Sequence, residues 1–96
     1  MKALPPRELI DALRASIEAR LGEDHPDAPF VLEICADAVA FSWTLSRNLP
    51  DGHAGQRART SAALMLELAF PEMRAGLRRQ LSVACEIIAM GVGRTD

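Results

Sequence analysis

The sequence contains few of several side chains that catalysis and metal binding often use. It has no tyrosine, one tryptophan, two cysteines and two histidines, and only one of its eleven basic residues is a lysine. Two cysteines are too few for the disulfide framework of a small secreted domain. Neither histidine belongs to a Glu-x-x-His pair, which a metal site in a helical bundle would need. We therefore expect no disulfide, metal or cofactor.

We also expect no signal sequence, because the first residues contain no apolar segment followed by a cleavage site. A reduced, cytoplasmic protein is expected. The central segment Phe30–Leu49 is long and apolar, but Asp37 lies near its middle and Glu33 one turn earlier. Since a carboxylate in the middle of a bilayer costs roughly 3 kcal/mol, no membrane span is predicted.

Apolar and polar residues nowhere alternate with the period of two that a strand requires. Helical spacing of apolar residues recurs instead, and 49% hydrophobic residues can fill one core. We predict an all-α fold in which residues 1–96 form a single compact four-helix domain. The predicted helices are 6–21, 28–49, 56–70 and 71–91. Pro71 forbids a straight continuation of the third helix, so we expect either a kink or a corner there, and we favour a corner with Pro71 as the first residue of the fourth helix.

Two of these helices carry a regular apolar stripe. In the first helix the stripe consists of Leu9, Ile10, Leu13, Ile17 and Leu21. In the fourth helix it consists of Met73, Leu77, Leu81, Ala84 and Ile88. Each stripe should face the core.

The central helix has a different pattern, because its polar residues form one narrow strip and most of the remaining surface is apolar. The strip consists of Glu33, Asp37, Thr44 and Asn48. A helix that is apolar over most of its surface is a buried helix. We expect it in the middle of the bundle or at a subunit interface. Phe41 and Trp43 on this helix are candidate partner-binding residues, since aromatic side chains are enriched at interfaces.

Glu33 and Asp37 are spaced by one helical turn, so their carboxylates share a face. They could supply half of a metal site or an acid–base pair, but no partner motif supports either. The simplest interpretation is a solvated stripe. A third interpretation is that this acidic stripe faces the arginines of a partner.

The loop and helix start at Gly52–Ser61 combine two glycines with Arg57 and Arg59. Backbone N–H groups at such a helix start can hold an anion, which makes an anion-binding or small-ligand site one hypothesis. The same arginines could enter a DNA groove, which makes a nucleic-acid-binding regulator another. Against both, the segment matches no phosphate-binding motif and the chain has a net charge of −2. An ordinary loop with exposed arginines remains the simplest alternative.

Charge is unevenly distributed along the chain. Residues 1–37 carry four basic and eight acidic side chains, and residues 47–79 carry six arginines and three acidic side chains. Arg74, Arg78 and Arg79 are expected on the outer face of the fourth helix, as a docking patch or as its ordinary solvated face. The protein should therefore have an acidic side and an arginine-rich side.

No arrangement of residues typical of an enzyme is present. Cys35 and Cys85 lie inside apolar helical segments, where a cysteine behaves as a small hydrophobic residue. We therefore predict a non-enzymatic protein–protein interaction module. It would be a regulator, an accessory subunit or an inhibitor of a larger complex that binds another protein or itself, as a homodimer. Nucleic-acid binding and anion or small-ligand binding are the alternatives.

Overall fold

The helical spacing of apolar residues produces four helices. The computed structural model describes residues 7–22, 25–47 and 53–92. The helices are α1 (Arg7–Leu21), α2 (Ala28–Arg47), α3 (Ala54–Ala69) and α4 (Ala75–Val92). These three ranges contain no strand, and the prediction of an all-α four-helix domain is confirmed. The predicted helix ends at 6 and at 48–49, together with Gly52 and Asn48 of the predicted sites, lie outside the described residues.

The two regular stripes face the core as predicted. Leu9, Leu13 and Ile17 of α1 are buried, as are Leu81 and Ala84 of α4. The remaining members of the stripes are half-buried. After α1, Gly22 adopts a φ of 104°, a conformation that favours glycine, and its N–H donates to the carbonyl of Glu18 at 2.9 Å.

The corner predicted at Pro71 is present, but Pro71 is not the first residue of α4. The N–H of Phe70 donates to the carbonyl of Leu66 at 2.8 Å and closes α3. The N–H of Met73 then donates to the carbonyl of Phe70 at 3.0 Å. This turn occupies the four residues 71–74, so α4 begins at Ala75 and not at residue 71. The predicted start of α4 at residue 71 was wrong, because a proline can also occupy a separate turn that precedes a helix.

The four helices pack against one another around a thin core. α3 packs along both α2 and α4, and α1 packs against α2 and α4 from the other side. Within the described ranges, α1 and α3 do not contact each other. The molecule measures 36 × 23 × 17 Å. A thickness of 17 Å corresponds to about two layers of helices, since helix axes pack about 8–10 Å apart.

α2 contacts all three other helices. Its segment Ala28–Leu45 is long and apolar enough to cross a membrane by length and composition, but one third of that segment is buried inside the molecule. Val31, Cys35 and Ala38 belong to the core. The prediction that most of the surface of α2 is buried is wrong for the single chain. The other helices cover only one side of α2, and Phe41 on the opposite side is exposed.

Ser42 on α2 is fully buried, and its Oγ has no hydrogen-bond partner among the residues that the structure describes. A buried hydroxyl without a partner loses its bonds to water and gains nothing in return. We expect Ser42→Ala to raise the free energy of unfolding by about 1 kcal/mol. Urea unfolding followed by circular dichroism measures this difference.

Ser82 on α4 supplies the matched control, because it is also buried but its Oγ donates to the carbonyl of Arg79 at 3.0 Å. Ser82→Ala removes a hydrogen bond that is made, so the same experiment should show no gain in stability. Equal gains at Ser42 and Ser82 would mean that helix propensity alone accounts for the effect.

Candidate functional site

Small side chains bring α3 close to its neighbours. Gly55, Ala58 and Ala62 are buried on one side of α3, and we call them the small-residue seam. A Cβ on Gly55 would lie 2.6 Å from Cγ of Met90 and 3.1 Å from the carbonyl oxygen of Glu86. α3 and α4 therefore approach as closely as their backbones allow at this point. Few large side chains fit between α3 and α4 at this point. Other large apolar residues of these two helices therefore lie on the surface.

Four large apolar residues of α3 and α4 are indeed exposed. The exposed fractions are 57% for Leu64, 76% for Leu68, 63% for Ile87 and 50% for Met90. Leu64 is two residues from Ala62, which places it about 200° around the helix from the seam. Leu64 therefore points away from the core because Ala62 points into it.

The outer side of α2 adds further exposed apolar surface beside α3. The ring of Phe30 packs edge-on against Phe70, with 5.4 Å between the ring centres, yet Phe30 is half exposed. At the other end of α2, Leu45 lines a shallow cavity of about 450 Å³ with Arg57 and Thr60 of α3. These two contacts show that α2 and α3 are antiparallel. Phe41, one turn before Leu45, is 60% exposed.

An open groove of about 670 Å³ runs between α3 and α4. Ala63, Leu64 and Val83 give the groove an apolar part. Its charged lining consists of Arg59, Glu67, Arg78 and Arg79. We call this feature the α3–α4 groove. It combines apolar surface with three guanidinium groups and one carboxylate.

The two arginines at the start of α3 point in different directions. Arg57 lines the cavity beside Leu45 of α2, whereas Arg59 lines the α3–α4 groove. Nη1 of Arg59 lies 3.1 Å from Oε1 of Glu86 on α4. Residues two apart are about 200° apart on a helix, so the two side chains cannot act on one ligand as a pair. This separation disfavours a DNA-binding helix start built from both arginines.

The arginines of α4 also differ from one another. Arg74 precedes α4 and is exposed. Arg78 is half-buried, and its Nη1 donates to the carbonyl of Met73 at 3.3 Å. Arg79 is exposed, and its side chain makes no ion pair with any residue that the structure describes. Helical spacing predicted one patch from these three residues, but in the structure Arg78 and Arg79 line a groove together with Arg59 of α3.

Glu33 and Asp37 are exposed on α2, as the polar strip predicted, and so is Thr44. Phe41 lies on the same strip, between Asp37 and Thr44, which the sequence interpretation overlooked. Trp43, the other aromatic candidate, is half-buried. The exposed strip of α2 is therefore both acidic and apolar.

No three His, Cys, Asp or Glu side chains in the described ranges are placed to hold a metal ion. His25, Asp27 and Glu72 do line one shallow cavity of about 420 Å³. Nδ1 of His25, however, already accepts the backbone N–H of Asp27 at 3.1 Å. This histidine therefore shapes the turn before α2.

The two cysteines are both buried and free, as the sequence predicted. The structure adds that their thiols form a hydrogen bond across the core, between α2 and α4. This bond and burial both raise the pKa of the Cys85 thiol. The same bond lowers the pKa of the Cys35 thiol, against the opposing effect of burial. Neither thiol is accessible to a substrate in solution.

Leu64, Leu68, Ile87 and Met90 were not predicted as surface residues from the sequence. Ile87 and Met90 could have been found, because they do not belong to the regular stripe of α4. Leu64 and Leu68 could not, since the second half of α3 is apolar on several sides and only the position of the small-residue seam decides which side is buried.

A comparison with protein-family models, curated proteins and solved structures finds no match to this chain.

Proposed function

We propose that the protein is a small, non-enzymatic interaction module of the cytoplasm that binds another protein chain through the exposed side of α2, α3 and α4. The observation that supports this most directly is the exposure of Phe41, Leu64, Leu68 and Ile87. Each is more than half exposed, and burying one such side chain contributes about 1.5–3 kcal/mol. Large apolar side chains left exposed on several neighbouring helices favour an interface over an isolated surface.

The charged groups support the same proposal. The exposed carboxylates of Glu33 and Asp37 border the apolar surface on α2, and Arg78 and Arg79 border it on α4. Charges at the border of an interface select the partner and its orientation more than they add affinity. A regulator, an accessory subunit or an inhibitor of a larger complex would use such a surface.

The test compares the unchanged chain with a variant in which Leu64 and Ile87 are both replaced by aspartate. Both side chains are exposed, so the variant should fold, and circular dichroism checks this. Tagged proteins are incubated with nuclease-treated lysate of the source cell and washed at high salt. We expect a partner, or a second copy, to be retained by the unchanged chain and lost by the variant.

Ala12→Asp on the exposed side of α1 is the control, because it adds charge away from this surface. It should retain the partner. Equal recovery by the Leu64 and Ile87 variant would contradict the proposal.

Nucleic-acid binding is the alternative. It predicts that nucleic acid is recovered only at low salt and without nuclease, and that Arg57→Ala with Arg59→Ala weakens its retention.

A further inference from the structure

The α3–α4 groove and the outer strip of α2 have complementary charge. The groove is lined by Arg59, Arg78 and Arg79 against the single carboxylate of Glu67. The strip carries Glu33 and Asp37, and neither makes an ion pair with any residue in the described part of the chain. The groove therefore has an excess of positive charge, and the strip on α2 is negatively charged.

The order of charged and apolar residues is also the same on both surfaces. On α2, Asp37 is followed one turn later by the exposed Phe41. On α4, Arg79 is followed one turn later by Val83, which lines the groove. If the two helices lie parallel with Asp37 opposite Arg79, Phe41 lies opposite Val83 and Glu33 lies opposite Ala75, one turn before Arg79.

We propose that the α3–α4 groove receives the acidic strip of α2 from a second copy of the chain, so that the protein forms a homodimer. This inference rests on the proposed function, because it names the partner that the exposed surface binds. α2 and α4 run in the same direction within one chain, since each is antiparallel to α3. A two-fold axis parallel to the helices preserves that direction, so α2 of each copy runs parallel to α4 of the other.

Arg79 is the arginine best placed to make the new contact. The guanidinium group of Arg59 is 3.1 Å from Glu86, and that of Arg78 is bonded to the carbonyl of Met73. Arg79 has no such partner within the described residues. Its natural counterpart is Asp37, which stands one turn before the apolar residue just as Arg79 does.

The test is a charge exchange measured by sedimentation equilibrium over a range of concentrations. The unchanged chain should reach twice the 10.4 kDa of a monomer. Asp37→Arg alone and Arg79→Asp alone should each weaken dimerisation about tenfold or more, because each places like charges opposite one another. The double variant restores opposite charges and should recover most of the lost affinity.

Asp11→Arg is the matched control, because Asp11 is exposed on α1 and the substitution changes the net charge as Asp37→Arg does. It should leave dimerisation unchanged. A chain that stays monomeric at every concentration would overturn the homodimer and leave binding of a different protein open. If neither single variant weakens dimerisation, or if the double variant does not recover the lost affinity, the proposed pairing of the α2 strip with the α3–α4 groove is wrong.

Discussion

Replacing Leu66 by alanine is expected to lower the free energy of unfolding by about 2–5 kcal/mol. Leu66 is fully buried on α3 and belongs to the core. Ala62 lies one turn before it on the same side and is too small to fill the cavity that the substitution leaves. Since small domains are stable by about 5–15 kcal/mol in all, this change should be visible as a large shift in the urea midpoint.

Leu68 provides the matched control for Leu66. It lies two residues further along the same helix but is 76% exposed. Leu68→Ala removes the same atoms as Leu66→Ala and changes the helix propensity of α3 by the same amount. Because Leu68 is exposed, Leu68→Ala should change the free energy of unfolding by less than about 0.5 kcal/mol. Comparable losses at the two positions, measured at concentrations at which the chain is monomeric, would mean that Leu68 is also buried within the single chain, and the proposed interaction surface would then be wrong.

Replacing Gly55 by alanine should also destabilise the protein, by about 2 kcal/mol. The added Cβ would lie 2.6 Å from Cγ of Met90 and 3.1 Å from the backbone carbonyl of Glu86. The methionine can move, but the backbone of α4 cannot move without separating the two helices. The strain should therefore exceed the gain of about 1 kcal/mol that alanine brings to a helix.

Replacing Gly76, near the start of α4, by alanine should have the opposite effect on the free energy of unfolding. A Cβ there would meet no atom within 4 Å. Gly76→Ala should therefore raise the free energy of unfolding by about 0.5–1 kcal/mol through helix propensity alone. Thermal or urea unfolding of the two variants gives a direct comparison. A stabilising effect at both glycines would show that α3 and α4 are further apart than described.

The regular parts of the fold could be predicted from the sequence. The stripes of α1 and α4 have three- and four-residue spacing over several turns, which allows only one buried side. The corner at Pro71 follows from the missing N–H of proline, although the first residue of α4 does not. Such patterns specify helices and their inner sides without reference to any neighbour.

The orientation of α2 and α3 could not be predicted in the same way. Both helices have apolar residues on more than one side, so periodicity leaves several orientations equivalent. Packing resolves this, because only the small-residue seam allows α3 to approach α4 closely. The exposure of Leu64 and Phe41 is a consequence of that choice.

The candidate surface was therefore only partly predictable. Phe41, Arg78 and Arg79 were identified from residue type and helical spacing. The grouping of Arg59 with Arg78 and Arg79 depends on the relative positions of α3 and α4, which no local pattern contains. The separation of Arg57 from Arg59, in contrast, follows from helical geometry alone.

The absence of contact between α1 and α3 within the described ranges has a consequence for the order of assembly. α2, α3 and α4 are consecutive, and each pair of neighbours forms contacts between residues that are close along the chain. Such local contacts form early, because they close short loops. α1 is also consecutive with α2, but its other packing partner, α4, is brought to it only when α3 has folded back. We therefore expect α2, α3 and α4 to form a three-helix unit first and the amino-terminal helix to complete its packing last.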